Sequence, residues 1–178
     1  MKPFILPLLV GVVFISCKNN TSSTVSKNDD SPTTASTTSK MDYPYTIEHP
    51  DNWETGSQQN TFNVLSALKA WENGNLDESL KYFADSVRVR FDKLDKMLSK
   101  DSLRVLLSPD KSLKSVMIKM KDWESVISKD KKDEYVTLWY TQHFEMMNGK
   151  KDSIDIVDDL KMKDGKIIGL DEYRRILH

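Results

Sequence analysis

The chain has 178 residues, of which 38% are hydrophobic and 30% are charged, a length and composition that suit about one globular domain. Its 26 basic and 27 acidic residues leave a net charge of −1, which argues against a nucleic-acid-binding protein because such proteins carry a basic surplus or stripe. One cysteine excludes a disulfide framework within the chain, and three scattered histidines argue against a zinc site. We therefore expect no metal, no cofactor and no nucleic-acid partner.

The first residues have the pattern of an export signal. After the basic Lys2, residues 4–15 form an apolar run that is too short for a membrane-spanning helix, which needs about 18 such residues. Its length is typical of the apolar core of a signal peptide. The run leads into Ser16 and Cys17, so a small residue directly precedes the only cysteine. This ending resembles the lipobox of bacterial lipoproteins.

The resemblance implies that residues 1–16 are a cleaved signal peptide and that the thiol of Cys17 receives lipid. Two or more acyl chains anchor a protein stably, whereas one chain holds it only marginally. We therefore expect a lipid-anchored protein of the bacterial cell envelope, with the bilayer as its partner. No acidic residue directly follows Cys17, which favours the outer membrane and a domain that faces the periplasm. The alternative is a free Cys17 in an ordinary signal peptide.

Two segments separate this signal from the region with regular patterning. Residues 17–40 begin with the cysteine, and twelve of the 23 residues after it are Ser or Thr. Such a segment buries too little surface to offset its ordering entropy, so we interpret it as a disordered tether. Residues 41–57 are predicted to pack on the domain as an arm without regular structure. The apolar residues of this arm are Tyr43, Tyr45, Ile47 and Trp53.

Residues 58–178 are predicted to form one domain in which helices precede strands. Apolar residues recur at helical spacing over 58–73, Asn73 and Gly74 supply a helix end, and Asn75 is a typical cap for a second helix. Alternation of apolar and polar residues then predicts strands. These strands cover 87–91, 116–121, 135–147, 154–162 and 167–177, with a short helix over 101–107 and turns at 129–134, 148–149 and 163–165. This order indicates an α+β fold with the helices on one face of an antiparallel sheet.

Three short stretches carry a resemblance to a known group of folds. Residues 71–77 and 82–87 look like the helix–helix–strand opening of the SnoaL-like group, which belongs to the nuclear-transport-factor-two-like (NTF2-like) superfamily. Residues 163–168 resemble its penultimate turn and final strand. The resemblance implies a cone-shaped, cystatin-like fold in which a curved antiparallel sheet wraps around N-terminal helices and leaves a pocket. Isomerases, cyclases, dehydratases and many non-catalytic binders share this fold, so it does not specify an activity.

One acidic residue interrupts the apolar row of the strand 154–162. Asp158 lies in the row formed by Ile154, Ile156, Leu160 and Met162. A carboxylate in such a row is costly unless it is paired, protonated or solvated by a cavity. We interpret Asp158 as a pocket acid with a raised pKa. The alternatives are a structural acid held by hydrogen bonds, and a bulge at Val157 and Asp158 that turns it to solvent.

Strand pairing decides which residues share a face with Asp158. Read as a two-residue hairpin turn, 148–149 puts Trp139 opposite Asp158 and His143 opposite Ile154. The inner face would then also carry Glu145. His143 is either a structural histidine or the acid–base partner of Asp158.

The other row of the same strand is also apolar, which indicates a strand that is covered on both faces. Helices would cover the inner face. A second copy would cover the outer face, because dimers of this kind are common in the resembled superfamily. The predicted outer row is Val136, Leu138, Tyr140 and Phe144. A turn slipped by one residue would exchange the two rows.

The catalytic positions of the superfamily's steroid isomerases can be compared with the residues of this sequence. The resemblance puts Ala67 where those enzymes carry a phenol and Phe91 where they carry the catalytic base. Only Asp158 matches, at the position of their protonated acid. The predicted lining of the pocket is Trp139, Glu145, Ile156, Phe91, Ala67 and Trp71.

Two functions are consistent with these residues. The first is a membrane-tethered, non-catalytic binding or interaction module with a pocket for a small apolar ligand. The alternative is a SnoaL-like isomerase, cyclase or hydratase that uses Asp158 and His143 for acid–base catalysis.

Overall fold

The computed structural model describes residues 42–47 and 53–177. The chain divides into two units, 1–42 and 43–178, and the second unit is compact and contains all the elements below. The predicted signal peptide over 1–16, the lipidation site Cys17 and the predicted tether over 17–40 lie outside the described residues.

The part of the chain that the structure describes has three helices, and each begins at a side-chain cap. They are α1 (Gln58–Glu72), α2 (Leu76–Leu80) and α3 (Lys100–Leu107). Ser57, Asn75 and Ser99 each accept a hydrogen bond from the backbone N–H three residues ahead, which satisfies a donor that the first helical turn leaves free. The predicted cap at Asn75 is therefore confirmed. The third helix begins one residue earlier than predicted, because Ser99 caps it.

The end of α1 is confirmed in detail. Gly74 adopts a φ of 76°, which places it in the left-handed region that favours glycine. Its N–H donates to the carbonyl of Trp71 at 2.9 Å, and the N–H of Asn75 donates to Ala70 at 2.8 Å. These two bonds form a Schellman motif, which turns the chain directly into α2.

Within the described residues, seven strands form one curved, open sheet. Every neighbouring pair is antiparallel except β2 and β7, which run parallel. The α+β class and the cone-shaped arrangement of helices on a curved sheet are confirmed. The strand order is β1-β4-β5-β6-β7-β2-β3. The strands are β1 (Trp53–Thr55), β2 (Phe83–Phe91), β3 (Leu94–Ser99), β4 (Leu113–Ser128), β5 (Glu134–Met146), β6 (Lys151–Lys163) and β7 (Lys166–Leu177).

The segment predicted as an irregular arm contains a strand. β1 pairs with the end of β4, with Glu54 opposite Ile127, so the prediction of an arm without regular structure was wrong there. Gly56 permits this pairing, because a Cβ at this position would lie 2.2 Å from the Oγ of Ser125. Tyr43, Tyr45 and Ile47 do not pack on the domain as predicted. Their exposed fractions are 73%, 84% and 62%.

The hairpin between β5 and β6 differs from the prediction by one residue. Gly149 has a φ of 84°, whereas Asn148 keeps a negative φ, so the turn is not the type I′ turn that a two-residue loop favours. The N–H of Gly149 donates to Met146 and the N–H of Met146 donates to Lys150, both at 2.8 Å. This is a three-residue loop, a type I turn followed by a glycine bulge. The predicted pairing of Met147 with Lys150 was therefore wrong.

The one-residue shift exchanges the two faces of β5. Leu138, not Trp139, lies opposite Asp158, and His143 lies opposite Ser153. Val136, Leu138 and Tyr140 are at most 3% exposed and face the helices, so they do not form the predicted outer dimer surface. Phe144 belongs to the same inner row and is half-buried. A homodimer through the outer face of the sheet stays a prediction, but these four residues would not form its interface.

Candidate functional site

A cavity of about 420 Å³ lies between α1, α3 and the inner face of the sheet. This volume falls within the range of small-molecule sites, about 300–1,000 Å³. Its wall is largely apolar, with the side chain of Ala67 on the helix side. The aliphatic and aromatic lining includes Val64, Leu68, Phe83, Phe91, Leu107, Leu113, Leu138, Ile154, Ile156 and Leu160.

Asp158 lines this cavity from the middle of β6. It pairs regularly with Leu138 of β5 and Glu172 of β7, so no bulge turns it to solvent. Its exposed fraction is only 6%. Asp158 therefore faces inward, in the row that the alternation of β6 predicts.

One oxygen of Asp158 has a partner and the other has none. The hydroxyl of Tyr140 donates to Oδ2 at 2.8 Å. Oδ1 is buried and has no hydrogen-bond partner among the residues that the structure describes. Leaving a buried polar atom unsatisfied costs about 1–3 kcal/mol, so a hydrogen-bond partner is missing at this atom.

Both members of this pair are neutral at pH 7. Burial, followed by the nearby charge of Glu172, raises the pKa of Asp158 from 3.8 to about 8, against the lowering effect of the Tyr140 hydrogen bond. Burial and the charge of Asp158 raise the pKa of Tyr140 well above its usual 10.0. Since Oδ2 accepts from Tyr140, the carboxyl proton of Asp158 belongs on Oδ1. The side chain of Asp158, which lines the cavity, therefore carries a hydrogen-bond donor on its unpartnered oxygen.

A second carboxyl group shares the cavity. Glu172 of β7 lies directly opposite Asp158, and both side chains line the same space. Burial raises the pKa of Glu172, while Arg174 lowers it. The Nε of Arg174 lies 3.1 Å from Oε1 of Glu172, and its Nη2 donates to Asp92 at 2.8 Å. Sequence reasoning missed both Tyr140 and Glu172.

Four predicted pocket residues line the cavity. Ala67, Phe91, Ile156 and Trp71 all contribute to its wall. The indole N–H of Trp71 donates to the carbonyl of Leu107 at 2.8 Å and so ties α1 to the end of α3. Any role of these four residues in binding stays a prediction.

Trp139, His143 and Glu145 lie on the opposite face of β5, as a consequence of the shifted hairpin. His143 is flanked by Met117 and Ser153 on the neighbouring strands, and Glu145 binds Lys114 at 2.7 Å. The structure therefore does not bring His143 to Asp158, and an acid–base pair of these two residues has no geometric basis.

The described part of the chain contains neither a candidate metal site nor a candidate membrane-spanning helix. Within residues 42–47 and 53–177, no group of three or more His, Cys, Asp or Glu side chains could hold a metal ion. None of the helices found there is long and apolar enough to cross a membrane.

The pH dependence of stability tests the protonation of Asp158. Its folded-state pKa of about 8 exceeds the unfolded value of 3.8, so between these pH values the folded chain holds a proton that the unfolded chain has lost. The free energy of unfolding should therefore fall as pH rises from 5 to 8, with a slope of up to about 1.4 kcal/mol per pH unit from this group. We expect Asp158→Asn to remove this slope in urea unfolding and to leave a smaller one from Glu172.

Asp159→Asn provides the matched control. Asp159 is adjacent in β6, faces the other side of the sheet and accepts a hydrogen bond from Thr137 at 2.7 Å. This variant should keep the wild-type slope. A slope that stays undiminished in Asp158→Asn would show that Asp158 is already ionised in the folded chain.

Known proteins identify the fold of this chain but not its family. No family model matches the chain, and no curated protein matches it. Among solved structures, an NTF2-like protein of unknown function from Burkholderia pseudomallei is 13% identical with a TM-score of 0.55, over 67% of this chain and 92% of that one. An LEH-like epoxide hydrolase from Mycobacterium tuberculosis is 13% identical with a TM-score of 0.54, over 71% and 86%.

A further similar structure is a Mycobacterium tuberculosis protein in complex with estradiol-17β-hemisuccinate. It is 12% identical with a TM-score of 0.52, over 66% of this chain and 94% of that one. Identities this low establish the fold and nothing about activity. The second unit of this chain therefore has the NTF2-like fold, as the resemblance in its sequence implied.

Proposed function

We propose that this domain binds a small, mostly apolar ligand in the cavity and that Asp158 donates a hydrogen bond to an oxygen of that ligand. The observation that carries the proposal is the buried Oδ1 of Asp158, which has no partner among the described residues, on a side chain that lines the cavity. An acceptor oxygen on a ligand would satisfy it, while the apolar wall would bury the rest of the molecule.

The pairing of Asp158 with Tyr140 supports a built binding site. The phenol holds Oδ2, so the carboxyl group cannot rotate freely and its proton keeps one direction. An ordered donor in a cavity shielded from water binds an acceptor more strongly than an exposed donor does. The site is therefore organised before a ligand arrives.

We also propose that Cys17 is lipidated and holds this domain at the bacterial cell envelope, at the outer membrane and facing the periplasm. The support is the apolar run over residues 4–15 and the small Ser16 before the only cysteine. The whole protein is then a membrane-tethered binding module.

A specific observation favours acid–base catalysis as a second function. Asp158 and Glu172 lie opposite each other on neighbouring strands, and their surroundings differ. Asp158 is a neutral acid, whereas burial raises the pKa of Glu172 and the neighbouring Arg174 opposes that rise. Such a pair can stabilise a substrate oxygen and accept a proton from carbon at the same time. Isomerases and cyclases use these steps, and Glu172 replaces His143 as the base.

Binding is tested with 2-acetylnaphthalene, a neutral aromatic ketone that offers one acceptor oxygen. We expect the folded protein to bind it by ligand-observed NMR. Ala67→Phe should abolish binding because the larger ring fills the cavity, and Asp158→Leu should weaken it by about tenfold because one hydrogen bond is lost. Asp159→Asn is the control and should bind as the wild type does. Undiminished binding by Ala67→Phe would place the ligand outside this cavity.

Catalysis is tested with the same ketone in D₂O. If Glu172 removes a proton from the methyl carbon while Asp158 stabilises the enolate oxygen, the protein will accelerate deuterium uptake at the methyl group, followed by proton NMR. Glu172→Gln should remove the acceleration because an amide accepts no proton, while binding persists. A wild-type protein that binds the ketone without accelerating exchange is a binding module and not a catalyst of proton transfer.

Lipidation is tested by expressing the full chain in a bacterium that is fed an alkyne-labelled fatty acid. We expect the label on the wild-type chain in the membrane fraction. Cys17→Ser should lose the label and leave the membrane, because the acylated thiol is gone. Ser22→Ala, five residues along the tether, should behave as the wild type does. An unlabelled wild-type chain would support the alternative of an ordinary signal peptide.

A further inference from the structure

The charges around the cavity are unequal. Among the described residues that line it, Asp110, Asp158 and Glu172 are acidic, whereas Arg174 is the one cation. A ligand entering this space therefore meets more carboxyl groups than basic groups.

The cation is already engaged. The Nε of Arg174 lies 3.1 Å from Glu172, and its Nη2 lies 2.8 Å from Asp92. A guanidinium between two carboxylates has little attraction left for a third. An anionic ligand would have to displace Glu172 or Asp92 to reach it, and the displaced carboxylate would remain beside the ligand.

Glu172 lies close to the place where the ligand oxygen would bind. It is directly opposite Asp158 on the neighbouring strand, where Cβ atoms are about 4.5–5.5 Å apart, and its side chain is 19% exposed. A ligand carboxylate at Oδ1 of Asp158 would face the charge of Glu172 across an apolar space, where repulsion between like charges is strong. A ketone, amide or alcohol at the same place carries no charge and meets no such repulsion.

We infer that the cavity accepts neutral ligands and rejects carboxylates, and that Glu172 is the residue that makes this selection. The inference rests on the proposed binding function and names the ligand class of the same site. The charge of Glu172 also helps to keep Asp158 protonated, so the site offers a donor and not a second anion. Fatty acids and other carboxylic acids are excluded at neutral pH, whereas neutral ketones and alcohols of similar shape are admitted.

The test compares two probes of nearly the same shape, 2-acetylnaphthalene and 2-naphthoate, at pH 7. The first carries a methyl group where the second carries a charged oxygen. We expect the wild-type protein to bind the ketone at least about tenfold more tightly. Equal affinities, or tighter binding of naphthoate, would overturn the inference without any variant. If neither probe binds, the proposed binding function fails and this inference fails with it.

Variants assign the selection to Glu172. Glu172→Gln removes the charge but keeps the shape, so naphthoate should bind at least about fivefold more tightly while the ketone changes by less than about twofold. Glu172→Asp keeps the charge and should keep the preference. Asp95→Asn removes the same charge from an exposed residue paired with Arg88, outside the cavity lining, and should change neither affinity. Unchanged naphthoate affinity in Glu172→Gln would show that another group excludes anions.

Discussion

The hydrogen bond from Tyr140 to Asp158 is the interaction on which the character of the cavity depends. An ionised carboxylate at this depth would be very unfavourable, and the structure avoids that cost because burial keeps the proton on the acid. The phenol satisfies one oxygen, the other has no partner among the described residues, and the side chain lines an empty space. That space exists because α1 presents the small Ala67 towards the sheet. The Tyr140–Asp158 pair and the cavity therefore lie together in an otherwise apolar interior.

Local signals in the sequence predict much of the scaffold but not the register of its strands. The cap at Asn75 and the helix end at Gly74 involve residues a few positions apart, so their chemistry is visible in the sequence. The hairpin at 148–149 is different, because an Asn–Gly pair is compatible with more than one loop length. Both rows of β5 are apolar, so hydrophobicity could not reveal the one-residue slip that replaced Trp139 with Tyr140 on the inner face.

The position of Glu172 shows a second limit of predicting strand register from the sequence. The turn at 163–165 was predicted correctly, and Lys163 pairs with Lys166 across it. Counting from that pair would place Asp171 opposite Asp158 and turn Glu172 outward. A shift in register between Lys161 and Met162 moves the pairing by one residue and brings Glu172 inward. At this shift in register the backbone of Gly169 comes close to Lys161, and a Cβ on Gly169 would lie 3.1 Å from the Cβ of Lys161. No local sequence pattern predicts this contact.

The same fold can therefore carry its polar groups on different elements. The resemblance to steroid isomerases places a phenol and a base at positions that are Ala67 and Phe91 in this chain, and both line the cavity as apolar residues. A phenol and a second carboxyl nevertheless reach Asp158, from Tyr140 on β5 and Glu172 on β7. These two strands flank β6 directly, so the polar cluster depends on two hairpin registers and not on α1 or β2. A fold-level comparison cannot find such a cluster, because it depends on which face each strand presents.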